Sequence, residues 1–489
     1  MVRTYGGWRR RRSIGLFGLG FNATLGLLGC LVLLMLSGLY APGLAIYLLP
    51  IMVVVFLFAA VPVQGESLLS FLLTRFRWWW SSMLGHTRYR AGVMVEHPRA
   101  FQLPGVLAPV TLLSCEDGKG GRFGIGWNRR LGHMTATILV SSNSVWLAEP
   151  ADVDSWVANW HQWLASLGYM PWVQWVSVTV ESRPDPGVAL RDGVNAQIDP
   201  HSPQQARKIM HDLVELAPAV SAQIETRVSI TFDPRKFPVA PKGRMEAAAE
   251  ISNYLNRLEN SLAGTGVSVL GRATPEQLVA MVRTAYDPAA LNDFNTMLHN
   301  RSQDIEIGDW TDATPVEAEA LHDQYNHDSG TSVAWIWQEA PRTHVISTVL
   351  AELLAPTRWT KRTTLLFRPW PAAAAARALE TQNSAAQYKS EMSWRVRHRV
   401  SARDSQDLAY ARQAAREETR GAGLVQMSLY TCATVDDPEK LKQAVAHTES
   451  AAETSRIRLR RAWGSQDVAF AATLPLGVCP PFLIQRGMG

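Results

Sequence analysis

The stretch HDQYNHDSG carries His322, Asp323, His327 and Asp328, a donor set of the kind that holds a divalent metal. Metal-binding helices set two histidines four residues apart on one face. The gap of five here turns them to different faces, and Asn326 to Gly330 reads more simply as a helix stop. A phosphate loop would need G-x-x-x-x-G-K-[ST], because backbone amides, lysine and hydroxyl hold the phosphates together. The nearest stretch, EDGKGGRFG around Lys119, has another spacing and lies between two predicted strands, as a hairpin turn does. G-x-G-x-x-G, H-E-x-x-H and G-x-S-x-G do not occur either. No catalytic residue, metal or cofactor is therefore expected, and the chain reads as a non-enzyme. Two basic clusters, WRVRHRV (Trp394 to Val400) and RIRLRRAW (Arg456 to Trp463), have the aromatic flanks of an anion-binding surface. Acids in REETR and HTESAAE largely cancel them, which points to solvated helix faces or an acidic partner rather than to nucleic acid.

The charge has a place. Residues 1 to 77 carry seven arginines against Glu66, a net +6, so with +5 for the whole chain of 489 residues the remainder carries −1. An excess confined to one end argues for a membrane edge over a broad DNA-binding face. Ile14 to Leu36 and Gly43 to Val61 contain no charged residue, and each approaches the roughly 20 residues that cross a bilayer. The expectation is a two-span hairpin joined by SGLYAP, with both termini cytoplasmic because Arg9, Arg10, Arg11 and Arg12 precede it and Arg75 and Arg77 follow. Trp78, Trp79 and Trp80 would then sit in the headgroup layer of the plasma membrane. Gly18, Asn22, Gly26 and Cys30 recur every four residues, a small-residue stripe suited to helix packing. The four cysteines are scattered, with no C-x-x-C, as in a reducing compartment.

Beyond these elements the pattern is α+β. Predicted strands PVTLLSC, GRFGIGW and MTATILV precede an amphipathic helix, DSWVANWHQWLASLG, that sets Trp156, Trp160, Trp163, Leu164 and Leu167 on one face. A strand, helix, strand, helix order follows and then recurs from TSVAWIW to RIRLRRAW, which is read as helix. Two ferredoxin-like split βαβ sandwiches in weak internal repeat are expected, with the segment Arg272 to Gly330 as a bridge. The corresponding domains are 1–85 (membrane hairpin), 86–300 and 301–489 (two cytosolic α+β domains).

The arginine-rich start, uncharged hairpin and RFRWWW exit resemble the PrgI family of small two-span subunits of type IV secretion. WGSQDVAFAATLPLG, read as an apolar strand and a turn, is similar to the end of the N-terminal domain of CagE/TrbE-type ATPases from the same machines. LPGVLAPVTLL, AYDPAALNDF, HDSGTSVAWIWQEAPR and KRTTLLFRPW extend the likeness to an actinobacterial family that fuses the two without the motor. The resemblance implies a non-enzymatic inner-membrane scaffold of a conjugation-like apparatus, docking a separate motor ATPase and further copies of itself. A subunit like EccE of type VII secretion, which also joins two spans to an α/β domain, and a membrane-attached enzyme with an unrecognised site are the competing readings.

Overall fold

The computed structural model describes residues 21–40, 66–92, 100–118, 120–143, 148–185, 187–199, 201–216, 222–291, 309–341, 343–371, 374–381 and 423–487, with a few short pieces besides. Its helices are α1 (Phe21–Tyr40), α2 (Leu68–Met83), α3 (Pro150–Leu167), α4 (Val188–Gln197), α5 (Gln204–Leu216), α6 (Arg244–Leu262), α7 (Pro275–Tyr286), α8 (Ala351–Leu354), α9 (Leu441–Thr454), α10 (Gln466–Ala471) and α11 (Pro480–Gly487). Local chemistry explains several of their limits. Pro150 supplies the preset φ of a first helical residue in α3. At α7, Thr274 and Gln277 form a reciprocal capping box, which satisfies amides that the first turn leaves open.

Thirteen described strands form one sheet: β1 (Arg88–Arg90), β2 (Val110–Glu116), β3 (Arg122–Asn128), β4 (His133–Ser142), β5 (Val173–Pro184), β6 (Ala222–Phe232), β7 (Val267–Arg272), β8 (Glu317–Ala320), β9 (Tyr325–His327), β10 (Gly330–Glu339), β11 (Thr360–Pro369), β12 (Val425–Val435) and β13 (Arg458–Arg461). Their order is β1-β8-β9-β10-β12-β11-β5-β6-β4-β3-β2, with β13 on β10 and β7 on β4, and all these pairings are antiparallel. Six strands, β2 to β7, thus repeat the arrangement of six others, β8 to β13. The halves meet edge to edge where Val176 to Ser182 of β5 face Lys361 to Phe367 of β11.

Successive side chains of a strand point to opposite faces, so each face has its own cover. On the first, Ala136, Ile138, Val228, Ile230 and Phe232 pack on Trp163, Leu164 and Leu167 of α3 and on Ile251, Leu255, Leu258 and Leu262 of α6. Each fully buried aliphatic side chain of this kind contributes roughly 1.5–3 kcal/mol. Val333, Trp335, Leu429 and Ala433 continue this face under α8 and α9. The opposite face is covered by α7, by α10 and by the C-terminal strap from Thr473 to Cys479.

The architecture corrects the expected one. Among the described residues no helix is long and apolar enough to cross a membrane, which overturns the two-span hairpin and the plasma-membrane placement built on it. Apart from Gly43 and Pro50, the expected second span lies outside the described residues. In place of two separate sandwiches there is one sheet shared by both halves, because the free edges of β5 and β11 satisfy one another's backbone groups. Three smaller readings change too. RIRLRR is not the end of a helix: α9 stops at Thr454, Arg456 adopts φ +55°, and Arg458–Arg461 form the edge strand β13. The alternation of Ile457 and Leu459 with arginines is the period of a strand. The expected helix stop at Asn326 to Gly330 is a β-hairpin, β9 to β10, with Asp328 at φ +21°. The expected strand in SQDVAFAATLPLG is the helix α10.

Candidate functional site

Threonine, serine and charged side chains occupy the strand positions that face the C-terminal strap. Cross-strand registers set them directly opposite one another. Thr135 faces Thr231, with their hydroxyls 2.9 Å apart, and Thr137 faces Ser229 at 2.8 Å. Across the junction of the halves Thr179 faces Thr364, again at 2.8 Å, and Glu181 faces Arg362. On the far side Ser332 faces Thr434, with 2.8 Å between hydroxyls. The result is a polar seam across the middle of the sheet.

At its centre Arg227 Nη1 donates to Glu181 Oε2 at 2.7 Å, with both side chains almost wholly buried. Arg227 Nη2 donates to the carbonyl of Thr473 at 3.3 Å, and Arg362 Nε to Thr473 Oγ1 at 3.2 Å. The Arg362 guanidinium stands 4.9 Å from the centre of the Phe470 ring. Two cations from different halves of the sheet therefore grip one residue of the strap. Burial alone would push the Glu181 carboxyl up; Arg227, Arg362 and Arg183 outweigh it and bring it down to about 2. Glu181 is thus held ionised at neutral pH, as an anchor for arginines rather than as a proton donor.

The strap fits the seam closely. Gly477 adopts φ +66°, and a side chain there would stand 2.7 Å from Thr231 Oγ1, so both conformation and space call for glycine. Gln466 of α10 acts as a substitute strand: its amide accepts from Ala334 N at 2.7 Å and donates to Ala334 O at 3.4 Å. Further on, Phe482 of α11 lies 5.5 Å from His133 and 5.2 Å from Trp175.

His327 closes the far end of the seam. Its Nδ1 lies 2.5 Å from the carbonyl of Tyr286, which can only accept, so Nδ1 carries the proton and Nε2 accepts from Ser332 at 2.7 Å. Complete burial pushes its pKa down to about 4, although the Tyr286 carbonyl opposes the shift. His327 is therefore a neutral core histidine.

The sequence-derived candidates fall apart in space. His322 stacks on Trp463 at 5.3 Å and meets the edge of Trp78 at 5.4 Å, far in role from buried His327. Asp328 is paired to Arg283 at 2.9 Å and accepts the amides of Val316 and Glu317. EDGKGGRFG forms the turn of the β2–β3 hairpin, closed by Asp117 N on Gly121 O, with Lys119 outside the described residues. Arg75, Arg77, Trp79 and Trp80 are exposed on α2, whereas Trp78 turns inward and donates to the carbonyl of Ala320 at 3.3 Å. Asn22, Gly26 and Cys30 lie on α1, with their side chains outside the description; Arg9, Arg10, Arg11, Arg12 and Gly18 lie outside the described residues, as does the cluster Trp394 to Val400.

Sequence reasoning missed Glu181, Arg227 and Arg362. Their signal was present: VTVESR, IETRVSITF and KRTTLLF each place a charge inside a β-branched run, where only a paired charge can be buried. No family model and no curated protein matches the chain.

Proposed function

We propose that this protein is a non-enzymatic scaffold subunit of a type IV secretion or conjugation-like apparatus, which docks a separate motor ATPase and neighbouring copies of itself. The resemblance of HDSGTSVAWIWQEAPR, KRTTLLFRPW and SQDVAFAATLPLG to that machinery is the starting point. One observation carries the reading. The buried charges of the sheet, Glu181, Arg227 and Arg362, hold one another and the strap at Thr473, so chemistry that could serve a reaction serves cohesion. A rigid sheet shared by two similar halves is a suitable platform for partners. The test is cross-linking in the native cells followed by purification of the tagged full-length chain. An ATPase bearing a phosphate loop, together with further copies of the chain, is the expected result. Recovery of the chain without any ATPase, or turnover of nucleotide by the purified chain itself, would overturn the reading.

A further inference from the structure

Among the described residues, helix α2 meets the sheet-bearing part of the protein on the side of Thr74 and Trp78. Thr74 and Trp78 lie against Gly464, and the Trp78 indole donates to Ala320 O. At about 100° of rotation per residue, Leu72, Leu73, Phe76, Trp79, Trp80 and Met83 share an arc of about 120° on the opposite side. All six are exposed, Phe76 by 56% and Met83 by 67%. The Phe76 ring lies 5.9 Å from Trp79 and 6.2 Å from Trp80, which makes the arc a continuous aromatic surface. Arg75 borders one edge of this arc and Arg77 the other, both exposed. Between α2 and the residues after it opens a groove of about 440 Å³, lined by Phe76, Arg77, Trp80, Ser81, Leu84 and His86.

An apolar seam with a cation on each border is half of a helix–helix interface, where bordering charges select the partner. Trp and Arg are also the residues that dominate binding energy at such surfaces. We infer that α2 is the docking surface for an amphipathic helix of a partner protein whose apolar stripe is bordered by Asp or Glu. Measured across the apolar arc the two arginines lie about 200° apart, each about 40° beyond one edge, so they meet both borders of such a stripe at once. The open groove beside Trp80 and Leu84 offers fixed apolar relief to a side chain, a feature that a fluid lipid surface does not require. This assignment rests on the scaffold reading and names its contact surface.

The experiment selects a displayed library of helical peptides, with Leu or Ile along one stripe and the bordering positions randomised, on the full-length chain. Acidic borders should be enriched, and the doubly reversed variant Arg75→Glu, Arg77→Glu should select basic borders instead. For a chosen acidic peptide, the reversal should weaken binding by about ten-fold or more, since like charges then face each other. Phe76→Ser with Trp79→Ser, on exposed positions, should remove binding while the thermal unfolding of the protein stays in place. Neutral or basic borders from the native chain, equal binding to both arginine forms, or binding confined to phosphatidylglycerol vesicles with no enriched peptide would overturn the assignment. Purification that brings down the ATPase while no acidic border is enriched removes this surface alone. Acidic helices selected without any ATPase recovered from cells removes the scaffold reading instead.

Discussion

Replacing Glu181 by Gln tests the central anchor with almost no change of shape. The amide keeps the volume of the carboxylate, so no cavity forms, but Arg227 and Arg362 lose the buried negative charge between them, and Arg227 keeps only the less buried Glu225 at 3.4 Å. Removing one partner of a buried ion pair costs about 3–5 kcal/mol. An independent route gives a similar figure: the fall of the carboxyl from its ordinary 4.5 to about 2 corresponds to roughly 3 kcal/mol of folded-state stabilisation. A depressed carboxylate stabilises the fold above its unfolded pKa, and that contribution fades as the pH drops from about 4.5 towards 2. Urea unfolding followed by far-ultraviolet circular dichroism should therefore show a variant weaker by about 3 kcal/mol at pH 7. The gap to the native chain should narrow as the pH is taken from 5 to 3. Adding Arg227→Met to Glu181→Gln should cost less than adding it to the native chain, with a coupling of about 1–3 kcal/mol. A gap below about 1 kcal/mol at pH 7, or one that keeps its size to pH 3, would show that the pair does not secure the sheet.

His327, whose folded pKa of about 4 lies below its usual 6.5, takes up a proton in the unfolded chain first, so stability should decline as the pH falls from 6.5 to 4. In His327→Gln this part of the pH profile should flatten, as read from melting temperatures; an unchanged slope would contradict the buried neutral imidazole. Lys361, lowered by burial to about 8, donates to the Ala355 carbonyl and is charged at pH 7 at a cost to the fold. Lys361→Met should raise stability at pH 7 by about 1–2 kcal/mol and abolish the gain that the native chain shows from pH 8 to 10.5; a less stable variant would count against this. Gly477→Ala should lower stability by about 1–3 kcal/mol through a strained left-handed backbone and its crowding by Thr231, and a neutral result in calorimetry would mean that the strap yields at that point.

How much of this was readable before the structure depends on what each signal needs. Helix α7 announced itself in ATPEQLVAM, since a cap, a proline and an apolar face are all local. The β2–β3 hairpin was equally local, with its turn written in Asp117, Gly118 and Gly121. RIRLRR misled because basic residues hid a two-residue alternation, and Ile457 and Leu459 become decisive only when β10 offers an edge to pair with. The union of the halves is a tertiary fact of the same sort. Nothing within VTVESR says that its neighbour is a strand from almost two hundred residues away.

Yet the charges in those strands carried a constraint that reaches beyond their own segments. A glutamate at the middle of a β-branched run cannot be buried without a cation, and Arg227 from the same half can supply one. Arg362 shares that anion, and the register that places it opposite Glu181 also places Thr364 opposite Thr179. A shift of one residue would turn Glu181 and Arg362 to opposite faces of the sheet, leaving one of them on the strap face without its partner and the other among the largely apolar side chains under the helices. The ion cluster therefore does more than hold the strap at Thr473: it makes one alignment of the two halves far better than its neighbours. That is a reason for two similar units, each with an edge strand of its own, to join into a single sheet in only one way.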